Sequence, residues 1–341
     1  MRVLITGGAG FIGSHLAEAY LADGHEVYVL DDLSTGSLDN LTHLQQHPVY
    51  KESLHVTIGS VLDREAMLEL VGVCDIVFHL AAAVGVQYIL DNPLSSISTN
   101  IRGTEIVLEL CHKFRKKVLI ASTSEVYGKH DRAPLDEADD SIYGPSCKSR
   151  WSYAASKLMD EFMALAYHRT KKLQVWIVRF FNTVGPRQTG RYGMVIPRFI
   201  AQALENVPIT VYGEGSQTRT FTHVKDAVNA LMKLVQHPEA VGEVVNIGGV
   251  EEVSMLELAR RVKTIAGSQS KISLIPYDEV FPRDFEDMQR RVPSTMKLRR
   301  LIGFAPAMTL DRILEDIVTH QRAAGATSDP IVSPPVCAGG L

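Results

Sequence analysis

Met1-Arg2-Val3-Leu4-Ile5-Thr6-Gly7-Gly8-Ala9-Gly10-Phe11-Ile12-Gly13 opens the chain and decides its fold. The apolar run reads as a buried parallel strand. It stops at glycines spaced G-x-x-G-x-x-G, and an amphipathic segment with helical spacing, Phe11 to Leu21, follows. This order suits a pyrophosphate. Gly7 and Gly10 allow a tight turn and a close approach of backbone N–H groups, and Gly13 lets the helix pack on the strand with its positive N-terminal end toward the phosphates. A second strand, Glu26 to Leu30, ends at Asp31-Asp32. A carboxylate there accepts hydrogen bonds from an adenosine ribose 2′-hydroxyl and repels a 2′-phosphate, so NAD is expected over NADP.

Outward from this fingerprint, strand and helix patterns alternate. They run through Leu54–Gly59, Arg64–Val71, Asp75–Leu80, Pro93–Phe114, Lys117–Ser122, Ser152–Arg169 and Leu173–Phe180. That order predicts an α/β fold: a Rossmann-type doubly wound parallel sheet, with a smaller C-terminal substrate-binding α/β cap. After Phe181 the units shorten and glycines interrupt them, whereas Val224–Gln236 and Glu243–Ile247 return to the main pattern. The expected organisation is a dinucleotide domain over 1–185 joined by 221–250, a nucleotide-sugar domain over 186–220 and 251–322, and a flexible tail over 323–341 rich in Ala, Gly, Ser and Pro.

Bulk properties narrow the class. The 341 residues are 45% hydrophobic, enough for a substantial core, and a net charge of −4 argues against a nucleic-acid partner. No apolar stretch approaches the roughly 20 residues of a membrane span, and Met1 leads directly into the first strand, so a soluble cytoplasmic protein is expected. Cys74, Cys111, Cys147 and Cys337 lack metal-ligand spacing, and no metal site is expected.

Two segments carry the chemistry. In Ser152-Tyr153-Ala154-Ala155-Ser156-Lys157, Tyr153 and Lys157 stand four apart on one helical face. A phenol near pKa 10 becomes a usable base when an ammonium and a positive nicotinamide stabilise its phenolate, so Tyr153 can take a proton from a sugar hydroxyl as the carbon gives up a hydride. Directly after an apolar strand, Thr123, Ser124 and Glu125 fall at the carboxyl edge of the sheet, where hydroxyls can hold a reacting sugar oxygen and Glu125 is expected to be partly buried.

The sequence resembles the extended short-chain dehydrogenase/reductase family over nearly its whole length, within the nucleotide-sugar epimerases, dehydratases and decarboxylases. The resemblance rests on TGGAGFIGSH (Thr6–His15), FHLAA (Phe78–Ala82), Asn100, TSEVYG (Thr123–Gly128), Tyr153 with Lys157, RFFNTVGPR (Arg179–Arg187) and GSQTRTFTHVKD (Gly215–Asp226). It implies that Thr123 and Tyr153 touch the hydroxyl being oxidised, that Phe11, Ile12 and Ala81 join the NAD site, and that Asn182 and Arg219 hold the diphosphate of a UDP-sugar. It also places Asp287 and Arg291 on the substrate and implies a homodimer formed through helices near Pro93–Phe114 and Ser152–Arg169. Ser60 departs from the family's usual Asp at the adenine.

Such enzymes oxidise the sugar at C4, and the fate of the 4-keto sugar sets the product. Rotation and reduction from the other face gives a 4-epimer, a C5 carboxylate is lost as carbon dioxide, and loss of water across C5 and C6 gives a 4,6-dehydrated sugar. Ser124 replaces the Asp of dehydratases and disfavours that outcome. The Thr-Ser-Glu triplet, Arg150-Trp151-Ser152-Tyr153 and Arg291-Val292-Pro293-Ser294 look like a UDP-glucuronate decarboxylase, with a UDP-sugar 4-epimerase as the alternative. Arg187 and Arg191 supply cations for a C6 carboxylate in either case. A non-catalytic NAD-binding regulator is a third reading, against which the intact Thr123, Tyr153 and Lys157 set speaks.

Overall fold

The computed structural model describes residues 1–84, 92–130, 132–148, 150–190, 194–280, 288–323 and 325. The first half alternates β1 (Arg2–Thr6), α1 (Phe11–Ala22), β2 (Glu26–Asp31), α2 (Asp39–Gln45), β3 (Leu54–Ile58), α3 (Arg64–Val73) and β4 (Ile76–His79). Then come α4 (Pro93–Lys113), β5 (Lys117–Thr123), α5 (Arg150–Lys171) and β6 (Val175–Phe180). The remainder holds β7 (Thr183–Val184), α6 (Val195–Leu204), β8 (Ile209–Tyr212), β9 (Thr218–Thr220), β10 (Thr222–His223), α7 (Val224–Leu234) and β11 (Val244–Ile247). It closes with β12 (Glu252–Ser254), α8 (Met255–Ile265), β13 (Ile272–Ile275), α9 (Tyr277–Val280), β14 (Arg290–Arg291), α10 (Met296–Ile302) and α11 (Leu310–Ala323).

Seven strands form one parallel sheet in the order β11-β6-β5-β4-β1-β2-β3. Strand period two explains how one sheet serves two cores. Val3 and Ile5 of β1 enter a cluster with Leu16, Tyr20 and Leu231 on one face, while Leu4 between them joins Val77, Val107 and Ile120 on the other. Both faces are therefore apolar and both are covered by helices. The strand order reverses between β1 and β4, where loops leaving the carboxyl ends diverge and open a crevice.

β11 pairs with β6, so residues 244–247 extend the large sheet although they follow segments outside it. A second core packs Phe199 and Ile200 of α6 with Val211, Leu258 and Val262, and with Ile313, Leu314 and Ile317 of α11. Small ladders, β7 with β10, β8 with β13, and β9 between β12 and β14, carry the loops of this second core to the mouth of the crevice. Helix α11 continues through Ala323, the first residue expected in the tail, and most of the stretch beyond lies outside the described residues.

Candidate active site

A long cleft runs over the carboxyl edge of the sheet. At one end it is lined by Gly7, Gly10, Phe11, Ile12, Gly13, Asp31, Asp32 and Ala81. The backbone there is drawn tight: a Cβ on Gly13 would sit 2.1 Å from the Gly7 carbonyl oxygen, and Gly7, at φ +73°, would place one 2.8 Å from the Ala81 nitrogen. Helix α1 begins at Gly10 with no side-chain cap, which leaves first-turn N–H groups for an anionic ligand. Asp31 accepts from the backbone N–H groups of Ala9 and Leu33, each at 2.9 Å, while burial pushes its pKa upward against those bonds. Asp32 is exposed and accepts from Ser34 N–H. These residues fit a dinucleotide: an uncapped helix start and a glycine turn for the pyrophosphate, and a carboxylate at the end of β2 for a ribose. Ser60 closes its own turn by accepting from Leu62 N–H at 3.2 Å.

The middle of the cleft holds Thr123, Ser124, Glu125, Tyr153 and Lys157. β5 ends at Thr123 and passes into a single 3-10 turn, Ser124–Tyr127, whose first N–H groups include Glu125 N donating to Thr123 Oγ1 at 3.2 Å. Tyr153 approaches the same hydroxyl from α5. Burial is the largest influence on the phenol and pushes its pKa up, Glu125 and Asp160 push it further the same way, and the neighbouring Thr123 hydroxyl opposes them. The first turn of α5 is tied to the cofactor side as well. Ala83 N–H donates to Asn100 Oδ1 at 2.8 Å, Asn100 Nδ2 donates to Ser156 Oγ at 3.2 Å, and Ser156 donates to the Tyr153 carbonyl at 2.8 Å.

The Lys157 ammonium, one turn after Tyr153, donates to Asp160 Oδ2 at 2.7 Å, a contact made within one helical turn and sealed from solvent. Sequence reading passed over Asp160 and Glu161, because three- and four-residue spacings on a helix usually mark solvated pairs. Here both are buried. Glu161 binds Arg179 of β6 through both carboxylate oxygens, at 2.9 and 2.8 Å, and accepts from Ser122 of β5, which clamps α5 to the sheet behind the site. The guanidinium of Arg179 also lies 4.7 Å from the Tyr127 ring centre.

Beyond Tyr153, Glu125 Oε1 meets Arg291 Nη2 at 2.7 Å, with side chains 17% and 10% exposed. Asn182, Arg187 and Arg219 line the same cleft. Asn182 adopts φ +28° and donates to the Thr220 carbonyl at 2.9 Å, and Arg219 donates to the Thr218 carbonyl at 2.8 Å. Arg187, expected to offer a cation to a sugar carboxylate, turns its guanidinium to α1, where it binds Glu18, Ser14 Oγ at 3.4 Å and His43 Nε2 at 3.2 Å. Arg191 and Asp287 lie outside the described residues. Reading the sequence also missed Arg198, Tyr212, Gln217 and Tyr277 on the far wall, where Arg198 stacks 3.9 Å from the Tyr212 ring centre and Gln217 donates to Tyr277 Oη at 2.9 Å.

The comparisons with known proteins agree with this geometry. Residues 4–317 match the family model described as GDP-mannose 4,6 dehydratase. Among curated relatives, a UDP-N-acetyl-alpha-D-glucosaminuronate decarboxylase of Bacillus cytotoxicus is 42% identical over 93% of this chain and 96% of its own length. UDP-glucuronic acid decarboxylase 1 of Danio rerio is 35% identical over 94% of this chain and 72% of its own length. Among solved structures, the UDP-glucuronic acid 4-epimerase of Bacillus cereus, determined with UDP-glucuronic acid and NAD, superposes with a TM-score of 0.84 at 27% identity, covering 95% of this chain and 100% of its own. A glycine cradle at the sheet's switch point, a Tyr–Lys helix across from it and a match over nearly the whole chain together place the protein in the GDP-mannose 4,6-dehydratase family of extended short-chain dehydrogenases/reductases.

Proposed function

We propose that this protein is an NAD-dependent decarboxylase of a UDP-linked uronic acid, which it first oxidises at C4. The observation that carries the reading is the Glu125–Arg291 pair beside Tyr153, an acid and a cation where C5 and C6 of the sugar would lie. The relatives named as uronate decarboxylases support it. A bound nicotinamide would supply the hydride acceptor. Tyr153, steered by Thr123, takes the proton of the C4 hydroxyl. The C4 ketone makes the C6 carboxylate a β-keto acid, so the C5–C6 bond breaks, its electrons are drawn toward the C4 carbonyl, carbon dioxide leaves, and C5 gains a proton. Arg291 is the partner for the carboxylate before that step, and Glu125 handles protons near C5. Ser124, nearly buried, is a hydroxyl where a 4,6-dehydratase needs an acid.

The similarity to a UDP-glucuronic acid 4-epimerase supports a second reading, in which the 4-keto sugar turns over and is reduced again. One experiment separates the two. The purified protein is incubated with NAD and, in turn, UDP-glucuronate, UDP-N-acetylglucosaminuronate and UDP-glucose, and products are identified by mass and NMR. A product lighter by carbon dioxide is expected from a uronate. An isomer of unchanged mass would replace the decarboxylase with the epimerase.

The same reading assigns NAD to the glycine turn and Asp31, and the UDP diphosphate to Asn182 and Arg219. It divides the chain into a dinucleotide domain, 1–185 with 221–250, and a sugar-nucleotide domain, 186–220 with 251–322. A cytoplasmic homodimer is part of it. Leu94 and Ile97 of α4 and Met159 and Phe162 of α5 are exposed, and apolar side chains on those helices suit a face between two copies. Among the described residues no helix is long and apolar enough to cross a membrane.

A further inference from the structure

Behind the Tyr153–Lys157 face lies a line of buried polar groups that the hydride chemistry does not itself use. Lys157 donates to Asp160 Oδ2 at 2.7 Å, and the Thr104 hydroxyl of α4 acts on the same carboxyl. Thr104 Oγ1 lies 3.2 Å from His79 Nε2, and His79 Nδ1 lies 2.8 Å from Thr6 Oγ1. Thr6 Oγ1 accepts from the backbone N–H of Ala81 at 3.3 Å. Thr6, His79, Thr104 and Asp160 are all at most 1% exposed, so water completes none of these bonds from outside.

The imidazole is a neutral link in this line. Burial lowers the His79 pKa to about 3, with the Lys157 charge acting the same way, so the ring is neutral and has one donor and one acceptor nitrogen. In either tautomer one ring nitrogen donates and the other accepts, so the imidazole links Thr6 of β1 to Thr104 of α4, whose hydroxyl acts on the Asp160 carboxyl. This is not a route for protons, since a buried imidazole with so low a pKa does not charge at neutral pH and the line ends on a backbone amide.

A geometric role remains. Asp160 Oδ1 makes no hydrogen bond of ordinary geometry, and burial pushes the carboxyl pKa upward. An incompletely bonded buried charge lowers stability relative to an apolar residue of similar size, so packing alone does not account for Asp160. The groups that act on it are Thr104 of α4 and Lys157, Glu161 and Tyr153 of its own helix, with His79 of β4 beyond Thr104, while Glu125 acts on Tyr153 from the turn after β5.

We propose that Asp160 is a positioning residue for Lys157, braced through Thr104, His79 and Thr6 by the loop carrying Ala81, so that the cofactor wall and the acid–base helix keep one register. The proposal rests on the acid–base reading of Tyr153 and Lys157 given above. Its first test needs no cofactor. In the free protein, competitive acetylation read by mass spectrometry should label Lys157 about tenfold faster in Asp160→Asn than in the wild type, as expected for one lost charge-assisted hydrogen bond. With NAD and the preferred uronate, the same variant should lose about tenfold in kcat with KM within about twofold, and its acid limb should move to lower pH. Asp160→Glu should recover part of kcat.

If Asp160→Asn does not fold, Thr104→Val should change labelling and kcat in the same directions by about threefold. Wild-type labelling, kcat and acid limb in a folded variant would overturn the proposal. A Tyr153→Phe enzyme with full turnover would remove the underlying reading, and the proposal with it. The two failures are distinct, because in the first Tyr153→Phe is inactive while the Asp160 and Thr104 variants are unaffected.

Discussion

Glu125 and Arg291 meet at 2.7 Å in a cleft where both are largely withdrawn from water, although one follows β5 and the other lies in β14 of the second core. On the proposed reading, a uronate carboxylate bound beside them would compete with Glu125 for the guanidinium and so couple substrate binding to the state of Glu125.

That coupling gives a prediction for Glu125→Gln. Hydride transfer should survive while decarboxylation is blocked, so NADH absorbance should rise in a single turnover with little pentose product. The carboxylate also raises the Tyr153 pKa, and its removal lowers it. Phenolate is then available at lower pH, and the acid limb of hydride transfer should shift downward in a stopped-flow pH series. Normal formation of a C4 epimer by the mutant would refute the role given to Glu125.

Tyr153→Phe keeps the shape of the site and deletes the proton acceptor. Turnover should fall by roughly 10²–10⁴, the usual weight of general acid–base catalysis, while nucleotide-sugar affinity measured by calorimetry changes little. In the parent enzyme, burial and Glu125 hold the phenol above its ordinary pKa, so kcat/KM should climb with pH through the neutral range.

Cofactor choice tests the end of β2. Asp31 lines the cleft beside the glycine turn, and a 2′-phosphate brought there meets a carboxylate. NAD should bind more tightly than NADP by at least about tenfold, or ~1.4 kcal/mol. Equal affinities in calorimetry would remove Asp31 from the ribose site.

Stability should depend on the clamp behind the site. Glu161→Gln leaves the Arg179 guanidinium buried with its carboxylate gone, and breaking such a pair costs about 3–5 kcal/mol. Urea denaturation should register that loss with an unchanged m-value. Replacing both partners by apolar residues of similar volume should cost less, because no buried charge then lacks a counterpart.

Much of this protein was legible in its sequence because the deciding signals are local. Glycines three apart after an apolar run dictate a backbone turn whatever surrounds them, and an acid at the end of the next strand follows from βαβ geometry. Tyr153 and Lys157 share a helical face by spacing alone. The doubly wound parallel sheet and the return of residues 244–247 to it follow the alternation of patterns, whereas the strand order and its switch point are set by the folded structure.

What the sequence left open was the partner of each charge. Spacing says that Lys157 and Asp160 are neighbours on a helix, but only the packing of α4 and β4 against that helix removes water and turns a solvated pair into a buried one. Nothing in the sequence says that Glu18 stands beside Arg187 or Glu125 beside Arg291; the folded chain sets both pairs. Turns and helical faces are fixed by torsion angles and steric limits between near neighbours in the chain. Charge pairing and burial depend on distances between segments far apart in the chain, and those distances exist only once both cores have closed.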